Sequence, residues 1–472
     1  MNPHLRRDFF HVCAVGLLRA GSTLLEQILR VIACNLLGAL ILSSSVSAVE
    51  VTRAPYIPDS GSIAIRCGLL IDGIGEGAMS DRLVIIRNGR VDKVETGRGS
   101  ASLPLLDLSD YSCLPGLIDT HTHLTDRANE TRDLRIYFTR SVDAERRISR
   151  SNAEITLFAG FTTARNVGAY SGWSGRDLRD RIDAGEIAGP RVQTAGFYLT
   201  IPGGGGDLII PGVDEKDIPH HVRMGVARGP AQFRRKAEEA VAGGADVLKI
   251  IASGAVLAYG GVPGLREMTP EEIAAVVEVG HKAGIRVTAH AHGAQSIKDA
   301  ILAGVDSIEH ASLADDEAIA LAADRQVAFS MDVYNGDYIA TAGREQGWPE
   351  EFLRKNDETV EEQRLVFTKA YKAGVPIIYG TDAAVYPHGD NALQFPIMVE
   401  RGMAPMDAIK AATSLAAHHI GWGDHVGAIE SGRFGDLIAV RGNPLRDITV
   451  LQEVDVVIKG GLVFKLAQQS AN

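Results

Sequence analysis

The chain has 472 residues, 45% apolar and 23% charged, a globular composition that fits neither a disordered chain nor a multi-span membrane protein. At ~150 residues per domain the length allows about three domains, or one large barrel with an accessory unit. The net charge of −11 comes without any Lys/Arg block, so the field of the protein repels phosphate backbones and nucleic acid is not an expected partner.

Residues 1–48 read as an export signal. Arg6, Arg7, Arg19 and Arg30 precede the apolar run Val31 to Leu42, and Val46-Ser47-Ala48 gives the small-x-small pattern a signal peptidase accepts. The run falls short of the ~20 residues that cross a bilayer, so the expected destination is periplasmic or secreted, without stable membrane insertion after cleavage. Cys13 and Cys34 leave with the signal. Cys67 and Cys113 remain, too few for a disulfide framework or a metal cluster, with one bridge between them left open.

Next, short alternating runs such as Ile63-Ala64-Ile65-Arg66 and Arg82-Leu83-Val84-Ile85-Ile86, separated by turn signals such as Asn88-Gly89, predict antiparallel strands. The same texture returns in Leu437 to Val440 and Val454 to Gly461. The two ends, 49–114 and 425–472, are expected to form one small β-sandwich domain.

Between them, 115–424, continuous apolar strands alternate with helix-period stretches. The strands are Phe161 to Ala164, Ala245 to Ile251, Ile285 to His290, Ser307 to His310, Val327 to Ser330 and Pro376 to Gly380. Such alternation predicts a parallel sheet covered by helices. Thr269-Pro270-Glu271-Glu272 marks a helix start and Gly284 its stop. With no Gly-x-Gly-x-x-Gly after the first strand, a (β/α)8 TIM barrel suits the stretch better than a doubly wound sheet. Gly203 to Gly206 reads as a mobile active-site loop, with a plain turn as the alternative.

Ligand-type residues recur where barrel strands end. His121 and His123, two residues apart in an extended segment, point to one side and can share a metal. Lys249 stands near the end of an otherwise apolar strand, where an unpaired ammonium would cost several kcal/mol. His290, His310 and Asp382 end three further strands. Any one of these could be a satisfied buried polar group; five strand ends converging is the signal.

These residues resemble the amidohydrolase superfamily. The match runs in order through Pro115-Gly116-Leu117-Ile118-Asp119-x-His121-x-His123, Lys249, His290, His310 and Gly380-Thr381-Asp382, and it spans essentially the whole chain after the signal. The resemblance implies two zinc ions. His121, His123 and Asp382 would hold the first, His290 and His310 the second, with Lys249 carboxylated to bridge them beside a hydroxide that attacks an amide carbonyl. Asp382 would shuttle the proton to the leaving nitrogen. Symmetric homo-oligomers are also common among such proteins, although no heptad or apolar stripe here predicts one.

Lys249 to Val256, Ala289-His290-Ala291-His292-Gly293 and Asp306 to His310 are similar to the branch holding Xaa-Pro dipeptidases, related carboxypeptidases and ochratoxin-cleaving amidases. That implies an amide or peptide substrate whose leaving amino acid has a free carboxylate. His292, two residues past His290, would hydrogen-bond the scissile carbonyl. Where much of the branch has Gly-Gly-His-Gly-Asp, this chain reads Gly203-Gly204-Gly205-Gly206-Asp207, so that histidine's substrate contact is absent. Tyr259, Arg223, Arg228 and Tyr334 are the expected substrate contacts, as a cation or phenol is needed for the carboxylate. The alternatives are a mononuclear cyclic-amide hydrolase of the imidazolonepropionase kind, against which Lys249 speaks, a silent relative that would have lost ligands, and a lactonase or phosphotriesterase on the same centre.

Overall fold

The computed structural model describes residues 60–97, 103–130 and 133–466. The expected export signal, 1–48, lies outside them. Among the described residues no helix is long and apolar enough to cross a membrane.

Both ends of the chain enter a single seven-stranded sheet. Its strands are β1 (Ile63–Leu70), β2 (Met79–Arg87), β3 (Arg90–Thr96) and β4 (Leu105–Pro115), followed after a long interval by β13 (Leu437–Arg441), β14 (Val456–Lys459) and β15 (Leu462–Leu466), in the order β15-β14-β13-β4-β1-β2-β3. Most neighbours pair antiparallel, as the alternating pattern predicts. The exception is β1 with β4, which run parallel, so the expectation of an all-antiparallel sheet is corrected. Cys67 and Cys113, on these two strands, form a disulfide. Ile65, Val84, Ile86, Leu437 and Ile458 fill the sheet's buried face.

The middle of the chain supplies eight strands, all paired parallel: β5 (Leu117–Thr122), β6 (Phe161–Asn166) and β7 (Arg191–Thr194) in one sheet, and β8 (Val247–Ile251), β9 (Arg286–Gly293), β10 (Ser307–Leu313), β11 (Ala328–Ser330) and β12 (Ile377–Ile378) in another. Nearly every residue of these strands is buried; β8 is an almost continuous apolar run, whereas β5, β6 and β7 carry buried polar side chains among the apolar ones. The helix Pro270–Lys282 begins at the predicted Thr269, whose side chain accepts from Glu272 N–H while Glu272 returns a bond to the Thr269 amide.

Backbone hydrogen bonds join both pairs of sheet edges. Thr120 N–H donates to Tyr379 O at 2.8 Å and Asp382 N–H to His121 O at 2.8 Å, tying β5 to the segment at β12. On the other side Asp246 N–H donates to Thr194 O at 2.8 Å and Leu199 N–H to Lys249 O at 2.9 Å. These pairings bring the ends of β5 and β8 to β12 onto one face.

The seven-stranded sheet is fastened to this body by a buried pair. Arg191 of β7 donates to both Asp436 oxygens at 2.8 and 2.9 Å, and Phe434 lies between the guanidinium groups of Arg90 and Arg191, 4.2 and 4.1 Å from its ring centre.

Candidate metal centre

Each ligand-type residue found in the sequence stands on a strand or just past its end. His121 is on β5 and His123 follows that strand; Lys249 is central in β8; His290 and His292 lie on β9; His310 is on β10; Asp382 follows β12. Because alternate side chains of a strand share a face, His290 and His292 point together, and their ring centres are 4.7 Å apart. His310 lies 4.6 Å from the ring of His290 and 4.9 Å from that of His121. Asp382 Oδ1 sits 3.3 Å from His121 Nε2 and 3.1 Å from His123 Nε2.

Two residues reach the site through strained backbone. His310 has φ +68° and Asp382 φ +57°, left-handed values that cost a residue with a Cβ on the order of 1–3 kcal/mol. Most other positive-φ positions among the described residues are glycines. Here the side chains are needed, and the surrounding sheet holds the conformation.

The donor set fits a metal. One ligand atom each of His121, His310 and Asp382, and likewise of His290, His292 and His310, lie within 4.8 Å of one another. Burial, with the neighbouring positive groups, pushes His290 well below its usual range and His292 down to about 3, so both are neutral and able to ligate. Burial alone would raise Asp382, but His121 and His123 outweigh it and hold the carboxyl well below the usual range. Lys249 Nζ is buried with no hydrogen-bond partner among the described residues, and burial lowers the amine to about 8. At neutral pH a lysine so lowered keeps a minor uncharged, nucleophilic fraction, which an ordinary lysine lacks.

A ring of further residues orients these ligands, and the sequence alone did not reveal it. Asp332, just past β11, stands 3.0 Å from His310 Nδ1 and receives Gln363 Nε2 at 2.7 Å and Asn335 Nδ2 at 2.9 Å. Asn335 Nδ2 also donates to Asp382 Oδ2 at 3.1 Å. Glu309 Oε2 lies 2.8 Å from His121 Nδ1, and Arg165 donates to Glu309 Oε1 at 2.8 Å. His123 Nδ1 is 3.0 Å from Gly168 O and 3.2 Å from the Tyr198 hydroxyl. In each case one imidazole nitrogen is fixed and the other is left facing the site.

The centre opens into a cavity of about 420 Å³. Of the four expected substrate contacts only Tyr259 lines it. Arg223 is spent on Asp207, at 2.7 and 2.6 Å, and on Glu215 at 2.8 Å, so it buttresses the base of the glycine loop. Arg228 is exposed, and Tyr334 packs its ring against Tyr386 at 5.0 Å; neither is in the lining. Gly205 and Gly206 do line the cavity. Their loop is tied down, with Gly203 N–H donating to Asp207, Gly205 N–H to Glu267 at 2.8 Å and Gly206 N–H to Thr200. Three phenols, Tyr137, Tyr170 and Tyr198, form another wall.

A parallel α/β body presenting histidines, a lysine and an aspartate at its strand ends suits a hydrolase, and comparison with known proteins gives its family and its amide-cleaving class. The model of the amidohydrolase family matches residues 113–463, and the chain belongs to that family. Ochratoxinase of Aspergillus niger is 32% identical over 426 residues, which cover 85% of this chain and 86% of that protein. Among solved structures, a Xaa-Pro dipeptidase with methionine bound in its active site matches at TM-score 0.79 and 36% identity over 86% of this chain and 100% of its own. The crystal structure of A. niger ochratoxinase matches at TM-score 0.76 and 28% identity, over 86% and 96% of the respective chains.

Proposed function

We propose that this protein is a binuclear zinc amidohydrolase that splits an amide or peptide bond to a C-terminal amino acid, of the dipeptidase, carboxypeptidase or N-acyl amino acid kind, on a (β/α)8 barrel closed by the two joined sheets. The observation that carries the reading is the buried, partnerless Lys249 Nζ beside two groups of convergent ligands. His121, His123 and Asp382 would hold one ion and His290 and His310 the other, with carboxylated Lys249 between them. Two such ions, when bound, polarise a carbonyl and supply a nucleophilic water at neutral pH.

The chain's own groups do the rest. Asp382, kept ionised by His121 and His123, accepts the proton of the attacking water and delivers it to the leaving nitrogen. Asn335 holds its second oxygen at 3.1 Å, so the carboxylate stays aimed through both transfers. His292 Nδ1 lies 2.8 Å from Ser312 Oγ; a hydroxyl donating there keeps the imidazole proton on Nε2, the tautomer that serves a developing oxyanion. The aromatic cavity suits an acyl amino acid with a bulky ring, in keeping with the likeness to ochratoxinase. The charge pattern and small-x-small site of residues 1–48 support export.

The test is a metal count per chain together with hydrolysis of N-acyl and dipeptide substrates ending in Pro, Phe, Leu, Arg or Lys. Close to two zinc ions with release of the C-terminal amino acid supports the proposal. One ion or none, or activity confined to lactones or cyclic amides, sinks it.

A further inference from the structure

The segment after β8 returns on itself as a flap. Ser253 bridges Arg266 antiparallel, Gly254 N–H donates to Leu265 O at 3.2 Å, and the tip turns at Gly260, whose φ of +79° favours a residue without a Cβ. The inner side of the flap, Ala255, Val256, Leu257 and Tyr259, lines the cavity, while Val262 and Leu265 stay exposed on the outside. Val256 and Leu257 pack with Trp348 against Ile339, Leu353 and Val385. The Tyr259 ring meets Phe352 at 4.8 Å between centres. Part of the cavity lining is therefore apolar and partly aromatic, and the phenols of Tyr137, Tyr170 and Tyr198 line the cavity as well.

The flap's part of that lining is held by a charge that touches nothing in the reaction. Lys355, on the helix Glu350–Ala373, is 1% exposed. Its Nζ donates to Ala258 O at 2.6 Å and pairs with Glu351 Oε1 at 2.7 Å. The same Glu351 oxygen accepts Gly260 N–H at 2.9 Å. The two residues flanking Tyr259 are thus both fastened to one lysine–glutamate pair. A buried ammonium is costly unless it is paired and hydrogen-bonded, and here the partners that offset the cost are Glu351 and the flap carbonyl of Ala258.

Resting on the hydrolase reading above, we propose that the flap 254–266 forms an apolar subsite for a bulky aromatic group on one side of the scissile amide, and that Lys355 is the positioning residue that sets this specificity. Val256, Leu257, Tyr259, Trp348 and Phe352 supply the contact surface. Lys355 acts only through the flap.

The experiment measures kcat and KM of the zinc-loaded enzyme for two substrate pairs, N-benzoyl against N-acetyl on one amino acid, and phenylalanine against glycine under one acyl group. Wild type is expected to favour the aromatic member of at least one pair by roughly tenfold or more, the worth of one well-filled apolar pocket. Lys355→Met should erase most of that preference through KM, with kcat and zinc content retained, and Lys355→Arg should restore part of it. Glu351→Gln, changed at the surface, should erode the same preference and covers the case in which Lys355→Met fails to fold. No aromatic preference in wild type, or one unchanged in Glu351→Gln and in folded Lys355→Met, overturns the proposal. If wild type cleaves none of these amides, the function proposed above fails separately, and the subsite is read by benzamide quenching of Trp348 fluorescence referenced to Trp348→Phe. Quenching that Lys355→Met weakens supports the subsite; no quenching overturns it.

Discussion

Asp332 Oδ1 lies 3.0 Å from His310 Nδ1 and is itself clamped by Gln363 and Asn335. A carboxylate in that position fixes the ring so that Nε2 faces the centre and makes the imidazole a stronger donor. Burial works against ionisation of Asp332, but His310 outweighs it and the carboxyl lies below its usual range. On the proposed zinc centre, Asp332→Asn should therefore weaken metal binding about 10- to 100-fold, the usual loss for such an outer partner, read by titration against a competing chelator. Wild-type affinity in this variant would remove Asp332 from the centre.

On the opposite side, Arg165 and Glu309 form a buried pair, 1% and 0% exposed. Arg165 Nε also donates to Thr120 O at 2.6 Å, so one guanidinium supports both the β5 backbone and the carboxylate behind His121. Burial would raise Glu309, yet Arg165 and His121 hold it well below the ordinary range. Arg165→Met strands that charge in the interior and should destabilise the fold by about 3–5 kcal/mol in urea unfolding. Adding Glu309→Gln should recover much of the loss, because no charge is then left unpaired. A double variant as unstable as the single one would contradict this account.

The residues that converge at the candidate centre were legible in the sequence because each lies in a local strand-end pattern: a His-x-His spacing, a lysine among apolar residues, an aspartate after Gly380-Thr381. Their supports were not. Asp332 and Gln363 lie 22 and 53 residues from His310 along the chain and meet it only after β10, β11 and the helix Glu350–Ala373 have packed. Arg223 illustrates the converse. Read as a free cation it suited a substrate carboxylate, but Asp207 and Glu215 are near in sequence and nearer in space, and they neutralise it first. The parallel pairing of β1 with β4 was hidden for a similar reason, since alternation reports which face a strand buries and not which way its neighbour runs.

Cys67 and Cys113 form their bridge across that parallel pair, 46 residues apart and both fully buried. Closing a loop of this length restricts the unfolded chain and contributes ~2–4 kcal/mol. Replacing both cysteines with serine should lower stability by that order, measured by urea unfolding under non-reducing conditions. Peptide mapping of the native protein should recover the two cysteines in one cross-linked fragment. Finding both as free thiols would refute the bridge.

Glu267 carries the pH dependence most open to measurement. Burial raises its carboxyl to about 7, despite the Gly205 N–H it accepts and the nearby Lys355. Unfolded, the group titrates near the ordinary glutamate value of 4.5, so between these two values the folded protein holds a proton that the unfolded chain has lost. Its contribution to stability is then greatest at or below about pH 4.5, falls as pH rises toward 7, and is constant above. Glutamine keeps an acceptor for Gly205 N–H and has no charge to desolvate. Glu267→Gln should therefore melt higher than wild type at pH 8, and the gap should close as pH falls through 7 toward 5. Melting curves for both proteins across that range test the claim, and a gap that stays constant with pH would show that Glu267 does not titrate there.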